Sequence, residues 1–300
     1  MADGSNFTPY YVAETSFGVA PASPVYTPLP YSGFTLAQSR EQIESSNIKA
    51  GRFASKPGLG GIQAGGDINC DLTYGDYDDF IEAAMGGTWT ADVLKAGNLR
   101  RSFTIPGYHS DLEGVNKYRV FRGMNINTMN IAVTTDAIVT AAFGCIGKNE
   151  NPEDLSAETF NQATSTGTFD SFSGSIKEGG STIGIVTEIN FTLDNGMERK
   201  PTIMTGTEAT QPSQGISKLT GNLTVYFNSM ALREKYLNST ESSIEFTISN
   251  ANGSYTFLMP AVTYTGGNPD VSGPGAITLP LTFEANLDEV EGSHLVITRS

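Results

Sequence analysis

Between residues 185 and 193 the chain alternates with a period of two. Ile185, Thr187, Ile189, Phe191 and Leu193 fall on one side of an extended backbone, and Val186, Glu188, Asn190 and Thr192 fall on the other. A helix would spread these apolar residues around its circumference, whereas a strand stacks them on one face. Asp194-Asn195-Gly196 follows as a tight-turn signal. Comparable runs predict strands at Asp67–Thr73, Arg101–Ile105, Tyr118–Arg122, Met124–Val133 and Ala137–Ile146. The 33 glycines and 14 prolines supply turns, and long Ala/Glu/Lys/Leu runs are lacking, so the fold class reads as mainly β. A chain of 300 residues can form one large β domain or two ordinary ones, and it can bury a core without metals or disulfides.

One helix is expected within the first half. Asp76 is placed to cap its N-terminus, Asp78 and Asp79 to favour the positive end of its dipole, and Phe80, Ile81 and Ala84 to share one face. Gly86-Gly87 stops it. The pattern then returns. Gly66-Asp-Ile-Asn-Cys-Asp-Leu-Thr-Tyr74 followed by Asp79-Phe-Ile81 is echoed by Gly221-Asn-Leu-Thr-Val-Tyr-Phe227 followed by Leu232-Arg-Glu-Lys-Tyr-Leu237. Arg101-Ser-Phe-Thr-Ile105 is echoed by Ile244-Glu-Phe-Thr-Ile248, and Ala137-Ile-Val-Thr140 by Ala276-Ile-Thr-Leu279. Each half reads as strand, one short helix, then several strands, which suggests a duplication. The expected division is a first unit over 51–147, a polar linker or long loop over 148–172, and a second unit over 173–300.

Residues 1–50 read differently. Pro9, Pro21, Pro24, Pro28 and Pro30 are interleaved with Tyr10, Tyr11, Tyr26, Tyr31 and Phe34. Proline removes amide donors and fixes φ, so the stretch reads as an extended arm rather than a sheet interior. Its aromatics suit docking, on the chain's own body or on a neighbouring chain. Glycines 58, 60, 61, 65 and 66 mark a flexible connection over 51–66.

The net charge is −14, and the 18 basic residues are scattered in ones and twos. A face that grips phosphates needs clustered Lys and Arg, so tight nucleic-acid binding is not expected. An acidic surface would instead let DNA pass, although simple solubility explains the acidity equally well. No apolar run reaches the ~18 residues of a membrane span and no secretory leader is visible, which points to folding in a cytoplasm. Cys70 and Cys145 lie in strand-like runs and read as reduced core thiols.

Chemistry-bearing patterns are weak. The chain has two histidines, His109 and His294, and no nucleophile elbow, so a hydrolytic triad has little support. No Cys/His spacing suits zinc. Asp76, Asp78, Asp79 and Glu82 offer oxygens for calcium but lack the spacing and glycine of an EF-hand, and helix capping explains them better. Asp288, Glu289 and Glu291 could form a glycosidase pair, but they read as a solvated acidic face. No catalytic, cofactor-binding or metal-binding residue is assigned.

Several ordered stretches carry a family resemblance. Ala13-Glu-Thr-Ser-Phe-Gly18 with Pro21, Pro24, Tyr26 and Leu29, then Glu44-Ser-Ser-Asn-Ile48 and Arg52, resembles the start of a siphophage major tail tube protein. Gly66–Tyr74 leading into Asp79–Trp89, Ser102-Phe-Thr-Ile105, Tyr118–Asn125 and Leu295-Val-Ile-Thr-Arg299 extend the similarity over nearly the whole chain. The resemblance implies β-sandwich or half-barrel modules, each flanked by a short helix. It implies rings stacked into a hollow tube in the phage tail, assembled in the host cytoplasm, with DNA crossing the lumen unbound. Partners would be further copies of the chain and other tail proteins (tape measure, tail tip, terminator). With two modules per chain, three chains would make a pseudo-sixfold ring; with one, six chains would. The competing readings are a carbohydrate-binding β-sandwich on a virion or cell surface and a β-rich glycoside hydrolase.

Overall fold

The computed structural model describes residues 3–45, 57–171, 174–200, 209–269, 271 and 273–300. The end of the expected arm, the start of the glycine-rich connection and position 172 at the end of the expected linker lie outside the described residues. The first half runs β1 (Phe7–Ala13), β2 (Val25–Pro28), β3 (Gly33–Phe34), β4 (Ala37–Ile43), β5 (Gly58–Asp71), α1 (Asp78–Met85), β6 (Val93–Lys95), β7 (Phe103–His109), β8 (Tyr118–Thr134), β9 (Thr140–Gly147) and β10 (Asn149–Glu153). The second runs β11 (Thr159–Phe160), β12 (Gly174–Glu178), β13 (Ser181–Thr182), β14 (Val186–Asp194), β15 (Lys218–Tyr226), α2 (Ala231–Leu237), β16 (Ser242–Asn250), β17 (Gly253–Gly267), β18 (Thr278–Asn286) and β19 (Val296–Arg299). The mainly-β fold class is thus observed.

The same antiparallel pairing order occurs twice. β5 pairs with β9, β9 with β8 and β8 with β7; β15 pairs with β18, β18 with β17 and β17 with β16. β3 and β4 lie beside β5 as β14 lies beside β15. Even the irregularities coincide. The β8–β9 register slips between Ile126 and Thr128, and the β17–β18 register between Tyr264 and Gly266. The β7–β8 register slips between Phe103 and Ile105, and the β16–β17 register between Ser242 and Ile244. A bulge bends one strand at one defined residue, so matching bulges are a demanding form of similarity.

The halves join where β14 pairs with β8, from Glu188 opposite Thr134 to Asp194 opposite Thr128. The order β4-β5-β9-β8-β14-β15-β18-β17 is therefore one continuous antiparallel sheet. Its inner face carries Ile68, Phe143, Met129, Ile131, Phe191, Leu223 and Phe283, all buried, in a single core running through both halves. Phe80 of α1 stacks on Phe103 at 4.9 Å and meets Phe143 edge-on at 5.5 Å. Phe246 and Phe257 stack at 4.8 Å and meet Phe191 in the second half.

Several expectations are corrected. Asp76 does not cap α1: Tyr77 holds the N-cap position and makes no side-chain cap bond. Asp76 instead accepts hydrogen bonds from Thr73 Oγ1 at 2.7 Å and from Thr164 Oγ1 at 2.6 Å, the second a partner too distant in sequence to foresee. Asp78 and Asp79 do occupy the first turn, and Gly86 ends the helix in the left-handed region at φ 60°. The two strands expected at 118–133 are one, because Gly123, at φ 67°, bends the ladder without breaking it. Residues 148–172 are not a bare linker: β10 pairs with β8, and β11 pairs in parallel with β2.

The N-terminal stretch is also corrected. It forms strands on the chain's own body, with β1 pairing to β7 from Phe7 opposite His109 to Ala13 opposite Phe103. β3 and β4 belong to the first unit's sheet and not to a separate arm.

Candidate functional site

The outer face of the sheet is polar because the strands alternate. Asp67, Asn69 and Asp71 on β5, Thr220 and Asn222 on β15, and Thr282, Glu284 and Asn286 on β18 all point away from the core and are exposed. Glu188, Asn190, Thr192 and Asp194 continue this face across the join. The acids Asp67, Asp71, Glu188, Asp194 and Glu284 are set against Lys218, whose strand position faces Asp194. Thr and Asn side chains link neighbouring strands, with Asn130 Nδ2 donating to Thr192 Oγ1 at 2.9 Å and Asn222 Nδ2 to Asn190 Oδ1 at 3.2 Å. Such a face is polar and net negative.

Two strand edges of this sheet are open. β4 pairs only with β5, and every one of its residues is exposed. At the other end, β17 pairs with β18 through Gly267, while on its other side the pairing with β16 stops at Val262. Among the described residues no strand pairs with either edge. Unpaired edges of this kind recruit another strand. Beside β3 opens a cleft of about 350 Å³, whose lining includes Phe7, Tyr31, Phe34, His109 and Arg119. In contrast to α1, which buries five side chains, α2 buries none.

The aromatics expected to dock an arm divide into two sets. Tyr11 is buried against Phe80 and Phe103, and its hydroxyl donates to Asp79 at 3.0 Å. Tyr26 is buried and stacks on Phe160 at 5.2 Å, where Tyr10 also packs. These three are committed within the chain. Tyr31 and Phe34 pack against Phe7 but remain half-exposed at the cleft.

Residues that could carry chemistry are built into the scaffold. Burial pushes the Cys70 thiol up to about 12 and raises that of Cys145 as well; both cysteines are free. Burial holds His294 below its ordinary range, and its Nε2 has no hydrogen-bond partner among the described residues. Asp288 accepts from the amides of Val290 and Glu291 in a turn, and Glu291 pairs with Lys95 at 2.9 Å. Asp78 receives the Tyr255 hydroxyl at 2.5 Å and pairs with Arg299, which also stacks on Trp89 at 4.6 Å. Among the described residues no three His, Cys, Asp or Glu side chains gather as a metal site requires.

Sequence reasoning did not find the two open edges, because an edge is defined by which strands pair. Alternation marked the polar face, but only the strand order shows that the acids of three strands, β5, β14 and β18, share it. A family model described as phage tail tube protein matches residues 8–285. No curated protein matches the chain.

Proposed function

Because this chain belongs to the phage tail tube protein family, we propose that it polymerises into stacked rings forming the hollow tube through which DNA leaves the virion. The observation that carries this reading is the continuous sheet with one open edge at each end. A sheet that presents different edges at its two ends makes a heterologous contact, and such contacts close into rings when the rotation permits. Closure removes the edges altogether. The apolar face of the sheet is spent on the core, so its polar face is the one left to line a lumen. Acids there repel phosphates and discourage DNA from sticking.

The repeated pairing order favours two tube modules per chain, the first built on β3, β4, β5 and β7 to β9 and the second on β14 to β18, and hence three chains per pseudo-sixfold ring; six chains are the alternative. Other tail proteins would meet the ends of the stack. A carbohydrate-binding module would need exposed aromatics on one face, and the outer face of this sheet carries mainly Thr, Asn, Asp and Glu.

Negative-stain electron microscopy of the concentrated protein tests the proposal. Hollow tubes of uniform width with a ring repeat are expected, and end-on views count the chains. Persistent globular monomers under conditions that favour assembly would count against it.

A further inference from the structure

We propose that the seam between neighbouring copies repeats the internal β8–β14 join, residue for residue, with β17 of one copy standing for β8 and β3–β4 of the next standing for β14. This rests on the ring-forming reading above. The equivalence comes from the registers. Ile68 pairs with Phe143 as Leu223 pairs with Leu281. Phe143 faces Met129 as Leu281 faces Gly267. On the other strand, Phe34 pairs with Ile68 and Gln38 with Ala64, as Ile189 pairs with Leu223 and Leu193 with Leu219. Each half thus contains one strand of the β8 type and one of the β14 type. The internal join uses the first half's β8 and the second half's β14, and leaves β17 and β3–β4 open.

The register of the new seam follows. Across the internal join Met129 faces Leu193, Asn130 faces Thr192 and Val133 faces Ile189. The corresponding intermolecular pairs are Gly267 with Gln38, Asn268 with Ala37, and Val271 with Phe34. Two independent features agree. Asparagine occupies both 130 and 268, and Asn130 binds across the join to the Phe191 carbonyl at 3.2 Å, a backbone contact for which Leu36 holds the equivalent place; the Thr192 contact has no counterpart at Ala37. Val133 packs on the core at the join, whereas Val271 is 70% exposed. Its place in the seam is beside Phe34 and Tyr31, at the mouth of the open cleft. A second copy therefore supplies both the missing strand and an apolar side chain for the cleft. No other occupant would be expected to match this register, because the internal join already shows the fit.

Paired cysteines test the register in assembled tubes. Ala37→Cys with Asn268→Cys is expected to yield covalent dimers and larger closed species on mild oxidation, reversed by thiol, whereas either single variant gives none. Glu41→Cys with Asn268→Cys, four residues out of register, is expected to stay uncrosslinked. Tubes in which the first pair fails to link, or the second links as well, overturn the seam while leaving polymerisation intact. A wild-type chain that forms no rings overturns the tube reading and the seam with it. Val271→Asp supplies a second readout: ring formation should be lost while the thermal unfolding of the monomer is unchanged. Tubes formed at the wild-type level by this variant would overturn the proposed packing.

Discussion

Glu14 accepts hydrogen bonds from the Gly18 amide at 2.7 Å, Ser102 Oγ at 2.5 Å, Thr104 Oγ1 at 2.8 Å and the Gly123 amide at 2.8 Å. One carboxylate thereby ties the turn after β1 to β7 and to the bend in β8. Removing it strands several donors in a partly buried place, and unmet buried donors cost more than the bonds themselves yielded. Glu14→Ala should lower stability by about 2–4 kcal/mol, read from the midpoint of denaturant unfolding, and Glu14→Gln should recover part of the loss. Cys70 makes a separate prediction. Burial moves its thiol from 9.0 up to about 12. The folded chain therefore holds a proton that the unfolded chain releases, so this contribution to stability is complete below pH 9 and is lost as pH rises toward 12. Ellman's reagent at pH 8 should leave Cys70 unmodified until denaturant is added, and rapid labelling of the native chain would contradict its burial.

At the scale of elements, the two halves solve one packing problem in mirrored ways. A Cβ on Gly144 would lie 2.1 Å from Thr128 Oγ1, and a Cβ on Gly266 would lie 2.6 Å from Thr282 Oγ1. Gly144 corresponds to Thr282 and Thr128 to Gly266, so each half places one threonine against one glycine on opposite strands. Gly144→Thr alone should destabilise by about 1–3 kcal/mol through overpacking. Adding Thr128→Gly should restore most of that, as a double-mutant cycle in thermal or denaturant melts would show. The echo of Gly66–Tyr74 in Gly221–Phe227 was legible in the sequence and matches the register of the repeated pairing, because both runs keep their alternation. The echo of Arg101–Ile105 in Ile244–Ile248 is instead four residues out, with Ile105 and Ile244 holding the equivalent places. The helix stop at Gly86 was legible too. The pairings β1–β7, β8–β10 and β2–β11 were not, since they join residues far apart in sequence. Proline in particular misled the reading of residues 1–50. Pro9 sits within β1 opposite Gly107 and Pro28 ends β2 opposite Tyr10, so both prolines are accommodated in paired strands of the chain's own body.

For the whole molecule, net charge says less than its placement. The sequence carries −14, which solubility alone accounts for, yet the fold directs Asp67, Asp71 and Glu284 outward from the central sheet. Their backbones pair within the sheet but their side chains point away from the core, so changing them should leave folding and tube width intact. Their proposed role is to keep a passing polyanion from lodging. Asp67→Lys, Asp71→Lys and Glu284→Lys together shift each chain by six charges, since each reversal adds two. Repetition around a ring and along a stack multiplies the effect into a continuous basic lining. Tubes of this variant should retain short duplex DNA at about 50 mM salt and release most of it by about 200 mM, the dependence expected when phosphates displace counterions. Wild-type tubes should retain little at either concentration. Phage carrying the variant should eject DNA more slowly, measured by dye uptake at the released genome. If the reversed tubes assemble normally and ignore DNA as the wild type does, these acids do not face the channel. The polar face of the sheet would then have to be assigned to the outside of the tube.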